Sequence, residues 1–172
     1  RRPRRHPCDP TPRRDLDTGR HNAIVAFVEL TFVDGLLPVG VHELSWRELV
    51  SLCAFTPWRV TLTEGLGRGA LALAEAGCTT LWVDGSYVTQ KAEPSDFDAC
   101  WDSDGVDRSL IDPVLLLFGN HRALQKAKYF GEFFPNVVEA GSGFLFRDFF
   151  QIDKVSGGRK GIIELDLRTF SS

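Results

Sequence analysis

The sequence lacks the features that would assign it to several special classes of protein. Its four cysteines are spread singly, without the close pairs of a zinc knuckle or a redox motif. No apolar run reaches the roughly 18 residues that a membrane-spanning helix needs. It has no internal repeat. We therefore expect no membrane-spanning segment, and we interpret the cysteines as buried free thiols in the reducing cytoplasm.

The chain also has no overall excess of positive charge. Its formal net charge is −3, but residues 1–20 hold seven arginines and three aspartates, so the rest of the chain carries −7. An acidic body does not present the basic face of a duplex-DNA binder. Residues 1–22 are rich in arginine and proline and poor in apolar residues, which predicts a disordered basic arm, with nucleic-acid binding by the arm as an alternative.

Length and composition then predict a single domain after the arm, over residues 23–172. The 172 residues are 43% hydrophobic and 25% charged, enough for one real core. Strand-like and helix-like segments alternate, which predicts an α/β (α+β) fold with a small mixed sheet flanked by helices. The predicted strands are Ala23–Val33, Thr79–Val83, Phe97–Trp101 and Gly161–Leu167.

Capping signals predict the helices. A capping box of Ser45 and Glu48 begins a short helix, and Thr56 with Pro57 begins a longer one. Three glycines fall inside that longer helix and weaken the expectation that it is regular: Gly65, Gly67 and Gly69.

Two further helices are predicted in the second half of the chain. Asn120 is expected to cap a helix that runs to Phe130, and Ser142 to cap another. In each of them the apolar residues predict the inward face. These are Ala123, Leu124, Ala127 and Phe130 in the first, and Leu145, Phe149 and Ile152 in the second.

The segment from Asp84 to Asp98 carries the strongest chemical signal. A predicted strand ends before Gly85 and Ser86, where glycine permits a sharp turn and lets a ligand come close to the backbone. Free N–H groups at such a turn favour phosphate. Further on, Asp96 and Asp98 at positions i and i+2 of a strand project from one face. Two carboxylates so placed suit a hard cation such as Mg²⁺.

The predicted last strand supplies a third acid. Glu164 and Asp166 alternate with apolar residues, so both are expected on one face of that strand. Carboxylates on neighbouring strands can hold two metal ions for in-line phosphoryl displacement. Asp166 is preferred, since both its neighbours are leucine, and Glu164 is its substitute.

This pattern of Gly-Ser, nine residues, Asp-x-Asp and a later acidic strand resembles the DNA polymerase β-like nucleotidyltransferase superfamily. The stretches Leu37–His42 and Asp84–Thr89 are similar to a group of small bacterial nucleotidyltransferase-like proteins of unassigned function. The resemblance to this group covers most of residues 35–168, and the superfamily motif covers 84–98 and 162–167. One residue departs from the superfamily pattern: Asp84 stands where an apolar residue is usual, in a place to contact the turn or to bind metal.

The resemblance implies a minimal nucleotidyltransferase fold and a set of roles. Gly85 and Ser86 would hold the phosphates of a nucleoside triphosphate. Asp96, Asp98 and Asp166 would be the catalytic carboxylates and would bind two Mg²⁺ ions, with Mn²⁺ as a substitute. The reaction would transfer a nucleoside monophosphate to a hydroxyl group and release pyrophosphate.

Three basic residues are candidates for binding the nucleotide. Lys91 lies between the Gly-Ser turn and the acids, and Arg122 and Lys126 share one face of a predicted helix. A cationic face there would offset the acidic body, although a solvated helix face is the plain alternative.

The sequence leaves the acceptor and two other functions open. The acceptor can be RNA, a protein or a small molecule. A non-catalytic module that binds a nucleotide or a partner protein, as in a toxin–antitoxin-like pair, is one alternative function. A metal-dependent phosphohydrolase that uses the same carboxylates on water is the other.

Overall fold

The structure is a computed structural model that describes residues 30–170. The strands of this part of the chain are β1 (Gly40–Glu43), β2 (Thr80–Asp84), β3 (Asp98–Trp101), β4 (Glu132–Pro135) and β5 (Gly161–Asp166). Its α-helices are α1 (Trp46–Cys53), α2 (Pro57–Glu75), α3 (Ala123–Tyr129) and α4 (Phe146–Phe150). None of these helices is long and apolar enough to cross a bilayer.

The five strands form one mixed sheet in the order β1-β5-β2-β3-β4. β5 is parallel to β1 and antiparallel to β2, while β3 is antiparallel to β2 and parallel to β4. The parallel β3–β4 pair needs a long connection, and that connection contains α3. The predicted α+β class, with a small mixed sheet flanked by helices, is confirmed.

Each face of the sheet buries a separate apolar cluster. Leu81, Val83 and Ile163 point to one face and share a cluster with the buried residues of α1 and α2. Trp82 and Ile162 point to the other face, where they pack with α4. This alternation follows from the two-residue period of a strand.

The predicted capping signals of the first two helices are confirmed. Ser45 and Glu48 form both bonds of a capping box at the start of α1. Thr56 caps α2 by accepting a hydrogen bond from the backbone N–H of Arg59, and Pro57 is the first helical residue.

The glycines of α2 allow other elements to approach it closely, and the helix is continuous through them. A Cβ atom on Gly65 would lie 1.9 Å from the carbonyl oxygen of Tyr129. A Cβ on Gly69 would lie 2.2 Å from the Phe133 ring. Glycine lowers helix propensity, but at these two positions it permits α3 and β4 to pack against α2.

The prediction for the Asn120 helix is wrong at its start and in its inward face. Asn120, His121 and Arg122 have φ angles of 49°, 49° and 54°, and α3 begins only at Ala123. The buried residues of α3 are Gln125 and Tyr129. The predicted inward residue Leu124 is 58% exposed.

A buried polar side chain explains why the hydrophobic pattern of α3 predicted the wrong inward face. The Gln125 amide donates hydrogen bonds to the carbonyls of Leu115 and Leu117 and accepts one from the backbone N–H of Phe133. Its polar atoms are satisfied, so burial of this side chain is tolerated.

The prediction that Ser142 caps a helix is also wrong. Ser142 accepts a hydrogen bond from the backbone of Phe144 within a loop, and α4 begins only at Phe146. The buried residue of α4 is Phe150, while Leu145 is 41% exposed. Residues of α4 contribute to the wall of the site described below.

Several predictions fall outside the described residues. The arm over residues 1–22, most of the predicted strand 23–33 and Cys8 lie there. Residues 30–33 of that strand are described, and Val33 forms an isolated bridge with Leu36. The other cysteines are buried and free, as predicted: Cys53, Cys78 and Cys100.

We expect Gly65→Ala to destabilise the protein although alanine is the better helix former. The added methyl group would meet the backbone of α3, and the overpacking is expected to lower the free energy of unfolding by about 2 kcal/mol. Urea unfolding measures the change. Gly67→Ala is the matched control, because its Cβ would lie 3.0 Å from a Trp46 side-chain atom, which can move. Equal stabilities for the two variants would contradict the close packing of α2 and α3.

Candidate functional site

The two halves of the predicted motif meet at one edge of the sheet. Asp84 ends β2 and Asp98 begins β3, and the two residues stand opposite each other in the antiparallel register. Asp96 precedes β3 by two residues, so the prediction that Asp96 lies on the strand is wrong. Asp96 and Asp98 nevertheless line the same cavity.

Gly85 is required by the turn between these strands. Its φ angle is +82°, which L side chains rarely adopt. A Cβ atom there would also lie 2.6 Å from the Oδ2 atom of Asp98. Ser86 begins a short 3-10 turn over Ser86–Val88. The tight turn therefore brings backbone close to the Asp98 carboxylate.

A buried arginine that sequence reasoning missed holds the segment after this turn. The guanidinium of Arg59, on α2, donates hydrogen bonds to the carbonyls of Cys53, Tyr87 and Lys91. Arg59 is fully buried. Its only sequence signal was a charged residue on a helix that is otherwise largely apolar. By binding Tyr87 and Lys91, Arg59 ties the β2–β3 connection to the helix below it.

A cavity of about 410 Å³ opens at the edge of the sheet where β2 and β3 meet. One wall is acidic, with the carboxylates of Asp84, Asp96, Asp98, Glu132 and Glu139. Its apolar wall consists of Phe134, Phe146, Phe149, Phe150 and Ile152. Arg122 and Lys154 also line it. Such a combination of apolar surface and convergent polar groups is typical of a ligand site.

Asp98 is the one carboxylate of this wall with no hydrogen bond or ion pair inside residues 30–170. Burial raises the pKa of Asp98 to about 6, and the nearby charges of Asp84, Asp96 and Glu132 add to the rise while Lys154 opposes it. Asp98 therefore forms no ion pair within residues 30–170, and the charge of Lys154, which lines the same cavity, only partly offsets the effect of burial on its pKa.

Asp84 forms a buried ion pair. Its Oδ1 atom lies 2.5 Å from the Nζ atom of Lys160, and both residues are buried. Burial raises the pKa of Asp84, and the Lys160 ammonium opposes this rise. Asp84, which lines the cavity, therefore has a buried cationic partner that does not itself line it.

Two predicted nucleotide-binding residues face the acidic wall. The Nζ atom of Lys126 lies 2.8 Å from Oδ2 of Asp96 and 2.6 Å from Oε1 of Glu132. Nη1 of Arg122 lies 3.4 Å from Oε2 of Glu132. Hydrogen bonds to these carboxylates raise the pKa of Lys126, so its ammonium is charged. The plain alternative of a fully solvated face does not describe these two side chains.

The structure does not bring Asp166 to the site. Asp166 stands opposite Thr80, at the far end of β2 from Asp84, which is about 13 Å along the strand. It is exposed and its carboxylate is bound by Arg168. The alternation of residues in β5 correctly predicted the face on which Asp166 lies, but alternation does not give the register of β5 against β2. Because β5 runs antiparallel to β2, Asp166 lies at the end of the sheet away from Asp84.

Glu164, the substitute third acid, is also engaged elsewhere. It stands opposite Trp82 and accepts a hydrogen bond from the Trp82 indole at 2.5 Å. The acid that joins the site is Glu132, the first residue of β4, directly opposite Asp98 in the sheet. Sequence reasoning missed it, although an acid at the start of an aromatic strand was a signal for it.

The other two predicted phosphate-binding residues lie beside the cavity. Ser86 follows the Gly85 turn and is half-buried, and its carbonyl accepts a hydrogen bond from Thr89. Lys91 is exposed and does not line the cavity.

The acidic wall fits a divalent cation in its donor chemistry. Two carboxylates from different elements, Asp96 and Glu132, already converge on one cationic atom, the Lys126 ammonium. Asp98 beside them has no partner in the described part of the chain. Carboxylate oxygens are the ligands that Mg²⁺ prefers. No group of three metal-ligating side chains placed to hold a metal ion is found within residues 30–170.

Comparison with known proteins places the chain in one family. A model of a family of unknown function (DUF6932) matches residues 30–166, and the chain belongs to that family. Searches of curated proteins and of solved structures gave no match. The matched residues include every element of the fold and the whole acidic wall.

Asp98 gives the site a measurable pH signature. Its pKa is raised in the folded protein, so the folded state holds the proton more tightly, and stability is lost as the pH rises from about 4 to above 6. We expect Asp98→Asn to remove this loss and to raise the free energy of unfolding by about 2 kcal/mol at pH 7.5, with little change at pH 4.

Urea unfolding of both proteins at the two pH values tests this expectation. Asp104→Asn, at an exposed loop residue outside the cavity, is the control. An Asp98→Asn effect of equal size at both pH values would contradict the raised pKa.

Proposed function

We propose that this protein is a Mg²⁺-dependent nucleotidyltransferase. It transfers a nucleoside monophosphate from a nucleoside triphosphate to a hydroxyl group of an acceptor and releases pyrophosphate. RNA, a protein and a small molecule remain the candidate acceptors. The three free, buried cysteines are in keeping with a reducing cytoplasm, where we place the reaction.

One observation carries this proposal. Asp96, just before β3, Asp98, at the start of β3, and Glu132, at the start of β4, meet in one cavity beside the sharp turn at Gly85. Gathering these carboxylates is unfavourable without cations, and Asp98 forms no ion pair within the described residues, where the charge of Lys154 only partly offsets its raised pKa. The arrangement supports the nucleotidyltransferase resemblance with Glu132, and not Asp166, as the third acid.

These three carboxylates would hold the metal ions. Bound Mg²⁺ supplies charge neutralisation for the transferred phosphoryl group and lowers the pKa of the attacking hydroxyl. The protein's own contribution is to fix the carboxylates: Gly85 leaves room for Asp98, and the sheet register fixes Glu132 opposite Asp98. Little covalent chemistry is required of side chains in this class of reaction.

The basic residues and the apolar wall suit the two ends of a nucleotide. Arg122 and Lys154 line the cavity near the carboxylates, where they would offset the charge of the phosphates. Phe146 and Phe149 are half-buried and line the same cavity. Aromatic rings of this kind stack on bases without regard to their identity, so we expect the base there.

A second candidate function is favoured by the Lys126 contacts. An ammonium that permanently neutralises Asp96 and Glu132 would make the cavity a non-catalytic module, which binds a nucleotide or a partner protein. The phosphohydrolase alternative would use the same acids but need no acceptor. The transfer experiment separates all three.

We expect Asp98→Asn and Glu132→Gln each to lower nucleotidyl transfer by at least about 100-fold, because each removes a carboxylate that holds the metal ions. The protein is incubated with each α-³²P-labelled ribonucleoside triphosphate, Mg²⁺, total RNA and cell protein, and labelled products are separated by size. Asp166→Asn is the matched control and is expected to retain activity within about twofold, since Asp166 lies at the far end of β2.

The products distinguish the functions. Label on one macromolecule, or on a small acceptor, supports transfer. Label released only as free monophosphate supports the phosphohydrolase. Full activity of Asp98→Asn, or loss of activity in Asp166→Asn alone, would overturn the assigned site.

A further inference from the structure

Lys126 bridges two carboxylates that belong to different elements. Its ammonium contacts Asp96, before β3, and Glu132, on β4. Lys128, on the same helix, also pairs with a carboxylate, Asp112, but that pair lies outside the cavity. Lys126 does not itself line the cavity, but both of its carboxylate partners do, whereas Asp112 does not. The two lysines therefore offer a comparison between a cation paired with acids of the cavity and one paired with an acid outside it.

An ammonium and a divalent cation compete for this place. The ammonium lies within 2.8 Å of one oxygen of each carboxylate, and Mg²⁺ binds such oxygens at about 2.0–2.1 Å. The two cations would overlap, and their like charges repel each other. A divalent cation that binds these same two oxygens must therefore displace the ammonium.

Exposure distinguishes Lys126 from the other lysine that pairs with an acid of the cavity. The Lys126 side chain is 39% exposed, while that of Lys160, paired with Asp84, is 10% exposed. Lys126 can turn into solvent at little cost in burial, whereas moving Lys160 would leave Asp84 buried and unpaired. Arg122 remains beside Glu132 when Lys126 leaves.

We propose that Lys126 is an exchangeable counter-cation. In the metal-free protein its ammonium holds Asp96 and Glu132 together, and a divalent cation displaces it on binding. The displaced ammonium stays near the cavity, where it can meet the phosphates of the nucleotide. This inference rests on the proposed function, since it requires that Asp96, Asp98 and Glu132 bind a divalent cation.

Binding of Mn²⁺ to the metal-free full chain tests the exchange without measuring activity. Electron paramagnetic resonance counts the free Mn²⁺ in titrations of the wild type and its variants. We expect Lys126→Gln to bind Mn²⁺ about tenfold more tightly, because the competing charge is gone. Lys128→Gln is the matched control and should stay within about twofold of the wild type. Lys126→Arg keeps the charge and should not bind more tightly.

Thermal unfolding supplies a second readout. Without metal, Lys126→Gln should unfold at a lower temperature than the wild type, because Asp96 and Glu132 then repel each other unscreened. Saturating Mn²⁺ should stabilise Lys126→Gln more than it stabilises the wild type. Equal stabilisation of the two proteins would overturn the exchange.

The outcomes separate this inference from the proposed function. Mn²⁺ binding that is lost in Asp98→Asn but is unchanged or weaker in Lys126→Gln would overturn the exchange and leave the metal site standing. Absence of binding that depends on Asp98 in every variant, Lys126→Gln included, would overturn both. Binding by Lys126→Gln alone would overturn the exchange, because it would show that Lys126 blocks the site in the wild type and is not displaced by the metal ion.

Discussion

The repulsion among carboxylates gathered at one sheet edge is the constraint on which the site depends. Asp84 and Asp98 face each other across β2 and β3, and Glu132 faces Asp98 across β3 and β4. Such an arrangement is stable only if cations or protons compensate the charge. Lys160 compensates Asp84, and Lys126 compensates Asp96 and Glu132. Asp98 forms no ion pair within residues 30–170 and the charge of Lys154 only partly offsets its raised pKa, so Asp98 is the acid left to bind a proton or an external cation.

The rest of the fold maintains this edge. Close approach of α3 and β4 to α2, permitted by Gly65 and Gly69, fixes the position from which Lys126 reaches the acids. Arg59 ties the β2–β3 connection to α2 from below. Two features that look like local irregularities therefore serve the geometry of the site. They are the glycines within α2 and the buried Arg59. We expect substitutions at these positions to change function by moving the site residues and not by removing a reacting group.

Local signals predicted the parts of the fold that are decided locally. The capping box at Ser45, the Thr56-Pro57 helix start and the mixed α+β class depend on neighbouring residues, and all three are confirmed. The two helices of the second half were predicted less well. The inward face of α3 depends on contacts outside the helix, such as the bonds of Gln125 to Leu115 and Phe133, and α4 begins where the backbone of Arg147 donates a hydrogen bond to Asn136.

The candidate site likewise has parts that local sequence predicted and parts that it did not. The turn at Gly85 and the acids after it could be recognised from spacing, since they all lie within one continuous stretch of the sequence, residues 84–98. The third acid could not, because alternation gives the face of a strand but neither its neighbours nor its register. β5 lies beside β1 and β2, so its acids are far from Asp98, whereas β4 lies beside β3 and supplies Glu132.

The central claim is that Asp96, Asp98 and Glu132 form a binding site for a metal-bound nucleotide. The most direct test is a crystal structure of the protein with Mn²⁺ and a non-hydrolysable nucleoside triphosphate analogue, with manganese located by its anomalous scattering. The account predicts an anomalous peak among these three carboxylates, with the Lys126 ammonium moved away from Asp96. A cavity without manganese, its Lys126 bridge intact at saturating Mn²⁺ and nucleotide, would contradict it.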